Sequence, residues 1–281
     1  MNDADIHALL DVILRLAVEL RIHVLIGVLK RTEDDMLKCV KETLEWLVER
    51  VGAATADEAL DRTSVVGFTV CPPTGVGLSQ SEILAALCHV LDRDVPVALY
   101  QLPQVTQNEM SAETVLELAK RYPNFILFKD TSGADRVART RMELGGVFLV
   151  RGAEGEYARW TDPETGVYAG LLLSTANVFA AQLDAVLRLV QDGQTAAAAS
   201  IAERIETVVR HMFSLVDGVA VRNPFTNANK ILDHVMAFGS DVEHHDPPLL
   251  YSGLRLPARL VAAAVELLDA SDLLPSSGYY N

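Results

Sequence analysis

The 281-residue chain lacks several features that define large classes of proteins. No apolar run approaches the ~20 residues that a membrane-spanning helix requires. The start, with Asn2 and Asp3, lacks the basic flank of a signal peptide. An excess of basic residues is also missing, because 24 Lys and Arg stand against 38 Asp and Glu, for a net charge of −14. We therefore expect a soluble cytoplasmic protein that binds neither nucleic acid nor a membrane.

Cysteine is scarce, and no metal or nucleotide motif accompanies it. Cys39, Cys71 and Cys88 are scattered and odd in number, which indicates a reducing compartment and small buried side chains rather than disulfides. The seven histidines lack metal-ligand spacing. The glycines at positions 152 and 155 lack the spacing of a dinucleotide loop. The sequence thus predicts no metal site and no dinucleotide site.

Half of the residues are apolar, and their spacing predicts an α/β protein. Six short apolar strands end near residues 28, 70, 100, 129, 150 and 174, with helical patterns between them. This alternation predicts a parallel sheet. Beyond Asn177 only amphipathic helices follow, and the apolar stripes in 178–215 are wider than one neighbour requires. We expect a strand-containing domain at residues 1–190 and a helical region at 191–281.

Local signals set several element boundaries. Ser79 and Glu82 have the spacing of a capping box at the start of a helix. The segment 52–62 is predicted as an inserted loop or a short helix. Residues 134–143 are predicted as a short helix, and residues 170–174 as the last strand.

The stretch Phe125–Phe128 is predicted to be a short strand buried on both faces, and Lys129 follows it directly. A lysine at the C-terminal end of a buried parallel strand occupies a position typical of catalysis in barrel enzymes. Poor hydration there would lower its pKa and free the amine to attack a carbonyl. The alternative is a lysine whose stem packs at the strand end while its ammonium reaches water.

A second apolar strand, Val95–Tyr100, is separated from the lysine strand by the helical segment Ser111–Arg121. This order predicts a β-α-β unit with parallel strands. Tyr100 and Lys129 should then emerge at the same edge of one sheet, on neighbouring strands. Tyr100 is a candidate proton carrier, because a neighbouring ammonium would lower the pKa of its phenol; the alternative is a core tyrosine.

The chain combines several motifs in a fixed order: Tyr100-x-x-Pro103, a helix, Pro123-Asn124, an apolar strand and then Lys129-Asp-Thr-Ser-Gly. This combination resembles the dihydrodipicolinate synthase / N-acetylneuraminate lyase family of class I aldolases. The resemblance implies a TIM-type (β/α)₈ barrel with a C-terminal helical appendage. It also implies that the lysine forms a Schiff base with pyruvate or another 2-keto acid and that the tyrosine shuttles protons. Since the protonated imine supplies the electrophile, no metal or organic cofactor is implied.

Two weaker correspondences follow from the resemblance. Gly152 matches a glycine whose missing side chain leaves room for the substrate, and Leu172 matches a residue whose backbone faces the keto acid. Simple barrel packing explains either residue equally well. Asp130, Thr131 and Ser132 are expected to be cap residues. Relatives form dimers or tetramers, so a homodimer or homotetramer is expected.

The sequence also departs from the family pattern. The first two β-α units of the barrel have no counterpart, nor does the Gly-Thr-Thr-Gly-Glu loop that holds the keto-acid carboxylate. Gln104-Val105-Thr106 lacks the arginine that grips the aldehyde substrate in the synthases, and Pro73-Thr74 replaces a tyrosine that crosses to the partner subunit. These departures favour a paralogue that acts on another 2-keto acid over a true dihydrodipicolinate synthase.

We therefore expect a lyase that uses Lys129 for aldol cleavage, condensation or dehydration of a 2-keto acid. A rival hypothesis is a catalytically impaired barrel that serves as a binding or structural subunit, since the carboxylate loop is missing. A third account is that the given sequence lacks its true beginning.

Overall fold

The computed structural model describes residues 3–217, 219 and 223–280. Its six strands lie in the sheet in chain order, and their number is the one that the sequence predicts. The strands are β1 (Val24–Val28), β2 (Val65–Val70), β3 (Val97–Gln101), β4 (Phe125–Asp130), β5 (Phe148–Arg151) and β6 (Gly170–Leu171). Pairing from β1 through β4 is parallel, as expected from the connecting helices.

Twelve α-helices are described. They are α1 (Asp3–Leu20), α2 (Glu33–Val51), α3 (Ala56–Arg62), α4 (Gln80–Leu91), α5 (Pro103–Thr106), α6 (Ala112–Arg121), α7 (Arg136–Arg139), α8 (Tyr157–Trp160), α9 (Ala176–Gln191), α10 (Thr195–Val216), α11 (Pro224–Phe238) and α12 (Ala258–Ala270). A 3₁₀ helix spans Gly239–His244. Among the described helices, none is both long enough and apolar enough to cross a membrane.

The chain divides into two compact units, Met1–Val150 and Arg151–Asn281. This division by compactness does not test the boundary at residue 190, which stays a prediction. The first unit contains α1 to α7 and the paired strands β1 to β4. Its core is built from apolar residues of the strands and the covering helices, such as Leu14, Phe68, Leu99 and Phe128.

The second unit buries the apolar stripes of its helices among themselves. Phe179 and Val186 of α9 pack in one cluster with Ile205 and Val209 of α10 and Ile231 of α11. The wide stripes in 178–215 therefore serve an internal helical core, and they no longer argue for subunit contacts.

Local capping signals begin several helices as the sequence predicts. Ser79 accepts a hydrogen bond from the Glu82 backbone N–H, and the Glu82 side chain accepts from the Ser79 N–H, so the capping box is confirmed. Thr55 caps α3 in a similar way, since its side chain accepts a hydrogen bond from the Glu58 backbone N–H. Of the two alternatives for the segment 52–62, an inserted loop or a short helix, the structure therefore shows the short helix.

Three local predictions are wrong in detail. The helix at 134–143 shrinks to Arg136–Arg139, and the Thr140 hydroxyl donates to the Val137 carbonyl at its end. The last strand has two residues instead of five, Gly170–Leu171, and a turn at Ser174 and Thr175 then leads into α9. In β4, Phe125 and Phe128 are buried but Ile126 and Leu127 only partly, since the pairing with β3 shifts register next to Val97.

Candidate active site

Tyr100 and Lys129 are direct neighbours on adjacent parallel strands. Tyr100 of β3 is aligned with Lys129 of β4 in the ladder. The Lys129 Nζ lies over the Tyr100 ring, 4.2 Å from its centroid, within the range of a cation–π contact. The expectation that both side chains meet at one edge of the sheet is confirmed.

The alternation of the strands explains why these side chains share a face. Leu99 and Phe128, one position earlier in each strand, are fully buried under the helices of the first unit. Successive residues of a strand point to opposite faces. Tyr100 and Lys129 are therefore turned away from the helical layer, and both are only partly buried.

The pKa of the Tyr100 phenol is raised, whereas the sequence analysis predicts that it is lowered. Burial raises its pKa above the usual value of 10, the Thr131 hydroxyl opposes this effect, and the Cys71 thiol adds to it. The predicted lowering of the phenol pKa by the ammonium is therefore wrong, because desolvation is the larger effect. A neutral phenol is suited to donating a proton first and accepting it back later.

Cys71 belongs to the same neighbourhood, although the sequence suggests only a buried hydrophobe. It follows β2 directly and is 3% exposed. Burial raises the pKa of its thiol to about 12, while the Lys129 ammonium acts in the opposite direction. Cys71 is thus a protonated thiol at neutral pH and supplies an uncharged surface beside the lysine. The sequence does contain a signal for this position, because Cys71 directly follows β2, the strand that pairs with the Tyr100 strand β3.

Two amide side chains hold together the loops that follow β2, β3 and β4. Asn108 Nδ2 donates to the Pro73 and Gly75 carbonyls at 2.7 and 3.1 Å. Gln104 Nε2 donates to the Thr131 carbonyl at 3.0 Å. These contacts join the loops at the carboxyl ends of three strands, where barrel enzymes carry their chemistry. Sequence reasoning missed Asn108, whose role depends on a loop 33 to 35 residues away in the chain.

The residues after Lys129 form a turn, and the expectation that Asp130, Thr131 and Ser132 cap a helix is wrong, because α7 begins only at Arg136 and its N-cap position is Asp135. The Asp130 carboxylate accepts a hydrogen bond from the Ser132 N–H at 2.8 Å. Burial raises the pKa of this carboxyl, and the bonds from Ser132 oppose that effect.

Gly152 and Leu172 lie in the second unit, whereas Tyr100 and Lys129 lie in the first. Gly152 is buried directly after Arg151, and the Leu172 N–H donates to the Arg151 carbonyl at 2.8 Å. Leu172 is 39% exposed. These contacts place both residues beside the end of β5, and their substrate-binding roles stay predictions.

The sequence reasoning missed a polar network next to Gly152. The Glu154 carboxylate accepts hydrogen bonds from the Tyr157 hydroxyl at 2.9 Å and the Thr175 hydroxyl at 2.6 Å. The buried Arg151 guanidinium donates to the Ala153 and Gly155 carbonyls of the same loop. Together they fix the conformation of the loop after β5. Among residues 3–217, 219 and 223–280, no group of three His, Cys, Asp or Glu side chains is placed to hold a metal ion.

The family model described as the dihydrodipicolinate synthetase family matches residues 37–228, and the chain belongs to this family. It is 34% identical over 140 residues to a 4-hydroxy-tetrahydrodipicolinate synthase of Novosphingobium aromaticivorans, covering 49% of this chain and 44% of the relative. It is 30% identical over 139 residues to the enzyme of the same name from Erythrobacter litoralis, covering 48% and 47%. The chain thus spans about half the length of the curated relatives that it matches.

Solved structures share the fold at low sequence identity. A monomeric dihydrodipicolinate synthase variant has a TM-score of 0.70 at 16% identity, over 97% of this chain and 81% of the other. A prophage protein of the dihydrodipicolinic acid synthase family from E. coli K12, in complex with pyruvate, has a TM-score of 0.68 at 19% identity, over 94% and 81%. A Sulfolobus solfataricus 2-keto-3-deoxygluconate aldolase variant has a TM-score of 0.64 at 13% identity, over 88% and 73%.

Proposed function

We propose that the protein is a class I lyase in which Lys129 forms a Schiff base with pyruvate or another 2-keto acid. The observation that carries this proposal is the pairing of Lys129 with Tyr100, with the ammonium 4.2 Å from the ring centroid at the ends of adjacent strands. Family membership supports it, because the curated relatives are synthases and structural neighbours include aldolases.

In the first step the neutral Lys129 amine attacks the keto carbon, and a carbinolamine forms. Protonation of its hydroxyl and loss of water then give the iminium. Tyr100 is the proposed donor for this step, since burial keeps its phenol protonated at neutral pH. Tyr100 also fixes the direction of the Lys129 side chain through the ring contact, which restricts the amine to one line of attack.

In the second step the iminium accepts an electron pair from its α carbon. In aldol cleavage the β-hydroxyl gives its proton to the Tyr100 phenolate, the bond between the α and β carbons breaks, the β carbon leaves as an aldehyde, and the enamine that remains is protonated on carbon. In dehydration the α carbon loses a proton to form the enamine, which then expels the β-hydroxyl as water and leaves a conjugated iminium. In both cases hydrolysis of the imine releases the product from Lys129. We propose aldol cleavage or condensation and dehydration as the two reaction types, with no metal or organic cofactor in either.

We further propose that the substrate differs from that of the relatives named 4-hydroxy-tetrahydrodipicolinate synthase. The stretch Gln104-Val105-Thr106 stands where the synthase pattern has an arginine, and the amide nitrogen of Gln104 is already bonded to the Thr131 carbonyl. A neutral amide in this position offers no charge-assisted pair to a second carboxylate. The proposal is therefore a paralogue with another 2-keto acid as substrate, and with Gly152 and Leu172 as the suggested substrate contacts.

Borohydride trapping tests the nucleophile. Incubation with pyruvate and borohydride should add one reduced pyruvyl group to Lys129, as located by peptide mass spectrometry. Lys129→Ala should abolish the adduct, and Lys120→Ala, which removes an amine from the exposed surface of α6, should leave it unchanged. An adduct that persists in Lys129→Ala would overturn the assignment.

The second candidate function is a barrel that has lost catalysis and acts as a binding or structural subunit. Two observations favour it: β1 lies at the edge of the sheet among the described strands, and no stretch of the given sequence matches the carboxylate-binding loop. Complete lack of trapping by pyruvate and by longer 2-keto acids would favour this candidate over the lyase.

We also propose where the protein acts and how it assembles. The net charge of −14 and the three free cysteines suit a soluble protein of the cytoplasm. We also propose a homodimer or homotetramer.

A further inference from the structure

A polar cavity lies within the second unit, and none of the proposals above uses it. Its volume is ≈ 360 Å³, and six of the seven residues that line it have polar side chains, the seventh being Phe225. The polar side chains that face it are Ser174, Asn177, Thr226, Asn229, Lys230 and Asp233. The last four belong to α11, Asn177 lies in the first turn of α9, and Ser174 precedes that helix. The volume is within the range of small-molecule sites.

The packing of the helices leaves the side-chain oxygen of Asn229 without a hydrogen-bond donor among the described residues. Its side chain is 8% exposed, and its Oδ1 is buried with no hydrogen-bond partner among the described residues. A buried amide oxygen without a donor is unfavourable, because the group has lost its bonds to water. The amide can turn about its last side-chain bond and so present either its oxygen or its nitrogen to the cavity. A ligand in a cavity of this size can supply the hydrogen bond that such a polar group needs.

The two charged side chains of the cavity have opposite signs and unused bonding capacity. Lys230 Nζ donates to the Leu249 carbonyl at 2.6 Å, which leaves two of its three N–H donors. Asp233 Oδ1 accepts from the Tyr279 hydroxyl at 2.7 Å, which leaves Oδ2. Lys230 and Asp233 are three residues apart on one helix face, and both are partly buried. Partial burial strengthens their interaction with a charged ligand.

We propose that this cavity binds a small zwitterion, of the class of a free α-amino acid. The ligand's carboxylate pairs with Lys230, its ammonium pairs with the free oxygen of Asp233, and a polar side chain bonds the Asn229 amide. The hydroxyls of Ser174 and Thr226 and the Asn177 amide complete a polar lining. This inference does not depend on Schiff-base chemistry at Lys129.

Titration calorimetry with the full chain tests the ligand class. L-Serine is the probe, and the controls are lactate, which lacks the ammonium, and ethanolamine, which lacks the carboxylate. We expect serine to bind with a Kd on the order of 1 mM or tighter and each control at least tenfold more weakly. No saturable binding of serine at about tenfold that concentration would overturn the proposal, and so would equal binding of all three probes.

Three variants assign the binding groups. Lys230→Met should weaken serine at least tenfold, to the level of ethanolamine, and Asp233→Asn should weaken it to the level of lactate while keeping an acceptor for Tyr279. Asn229→Leu removes the orphaned oxygen, so it should keep or raise the Tm while weakening serine at least tenfold. Serine affinity unchanged in Asn229→Leu or in Lys230→Met would overturn the assignment.

Two control variants separate this site from the proposed active site. Lys120→Met matches Lys230→Met on the exposed surface of α6 and should leave serine affinity unchanged. Lys129→Ala should abolish pyruvate trapping and also leave serine affinity unchanged, because serine has no keto group to react with an amine. Loss of serine binding in Lys129→Ala would overturn the inference that the two sites are separate, and failure of pyruvate trapping alone would contradict only the proposed function.

Discussion

Tyr100 connects the two properties that the proposed chemistry requires, since its ring contacts the lysine and its hydroxyl stays protonated. The ring orients the Lys129 side chain, whereas the hydroxyl is the proposed proton donor. A single substitution separates these two roles of Tyr100. Tyr100→Phe keeps the ring beneath Lys129 and removes only the hydroxyl.

We expect Tyr100→Phe to lower kcat by ~10²–10⁴, the usual contribution of a positioned acid or base, while pyruvate is still trapped on Lys129. Because burial raises the phenol pKa above its usual value of 10, loss of the phenol proton should not reduce the wild-type kcat between about pH 7 and 9. Steady-state kinetics across this range checks both points. A kcat of the variant within twofold of wild type would show that another group transfers the proton.

Cys71 gives a prediction about stability at high pH. Its thiol pKa is raised from 9.0 to about 12 in the folded protein, so folding favours the protonated form. This stabilisation is complete below the unfolded pKa, near 9, and is lost as the pH rises through the folded pKa, near 12. Its full size is on the order of a few kcal/mol.

We therefore expect the Tm of the wild type to fall between pH 9 and 12, and the fall to be shallower in Cys71→Ala. Cys39→Ala, which also removes one thiol, should keep the wild-type slope. Thermal unfolding followed by circular dichroism measures the three slopes. The same slope in Cys71→Ala as in wild type would mean that the thiol is ionised or hydrated in the native state.

At the scale of secondary structure elements, two glycines in neighbouring strands form a matched pair. Gly67 of β2 lies at the register shift between β1 and β2. A Cβ added there would lie 2.4 Å from the Pro96 carbonyl oxygen, whereas a Cβ added at Gly27 of β1 would meet nothing within 4 Å. The close approach of two backbones requires glycine at the first position only.

Gly67→Ala should therefore lower the free energy of unfolding by more than ~2 kcal/mol, since backbone must move. Gly27→Ala should change it by less than ~1 kcal/mol, or raise it, because alanine restricts the unfolded chain. Denaturant unfolding of both variants measures the difference. Equal effects of the two substitutions would show that the strands adjust freely at the bulge.

At the scale of the whole molecule, α1 carries an apolar face that the described structure leaves uncovered. Leu9, Ile13, Leu16 and Leu20 recur along one side of the helix and are 49%, 37%, 41% and 62% exposed. Leu14 on the opposite side is already buried in the core. A contiguous exposed stripe of this kind is typical of an interaction surface.

We expect light scattering at micromolar concentration to give a multiple of 30.6 kDa. Leu16→Glu should shift the protein toward the monomer, because a charge in the middle of the stripe opposes burial. Val76→Glu, at an isolated apolar residue that is 81% exposed, should leave the mass unchanged. A monomer mass for the wild type would contradict the proposed homo-oligomer.

The sequence by itself determined the parallel β-α-β unit and the pairing of Tyr100 with Lys129. Strand alternation and the short connecting helix are local properties, and they fix which residues emerge together at a sheet edge. The same holds for the capping box of Ser79 and Glu82, whose partners are three residues apart. The family assignment follows from the same short motifs, and the matched residues 37–228 confirm it.

Only the tertiary structure decided the electrostatics and the packing. Whether burial or the ammonium controls the pKa of the Tyr100 phenol depends on how much water remains around it, and the Cys71 thiol, far away in the chain, adds a separate electrostatic contribution. The uncompensated Asn229 amide is likewise invisible in a helical sequence pattern, since its missing partner is defined by everything that packs around α11. Desolvation arises from many contacts between segments that are far apart in the chain, and therefore no local pattern encodes it.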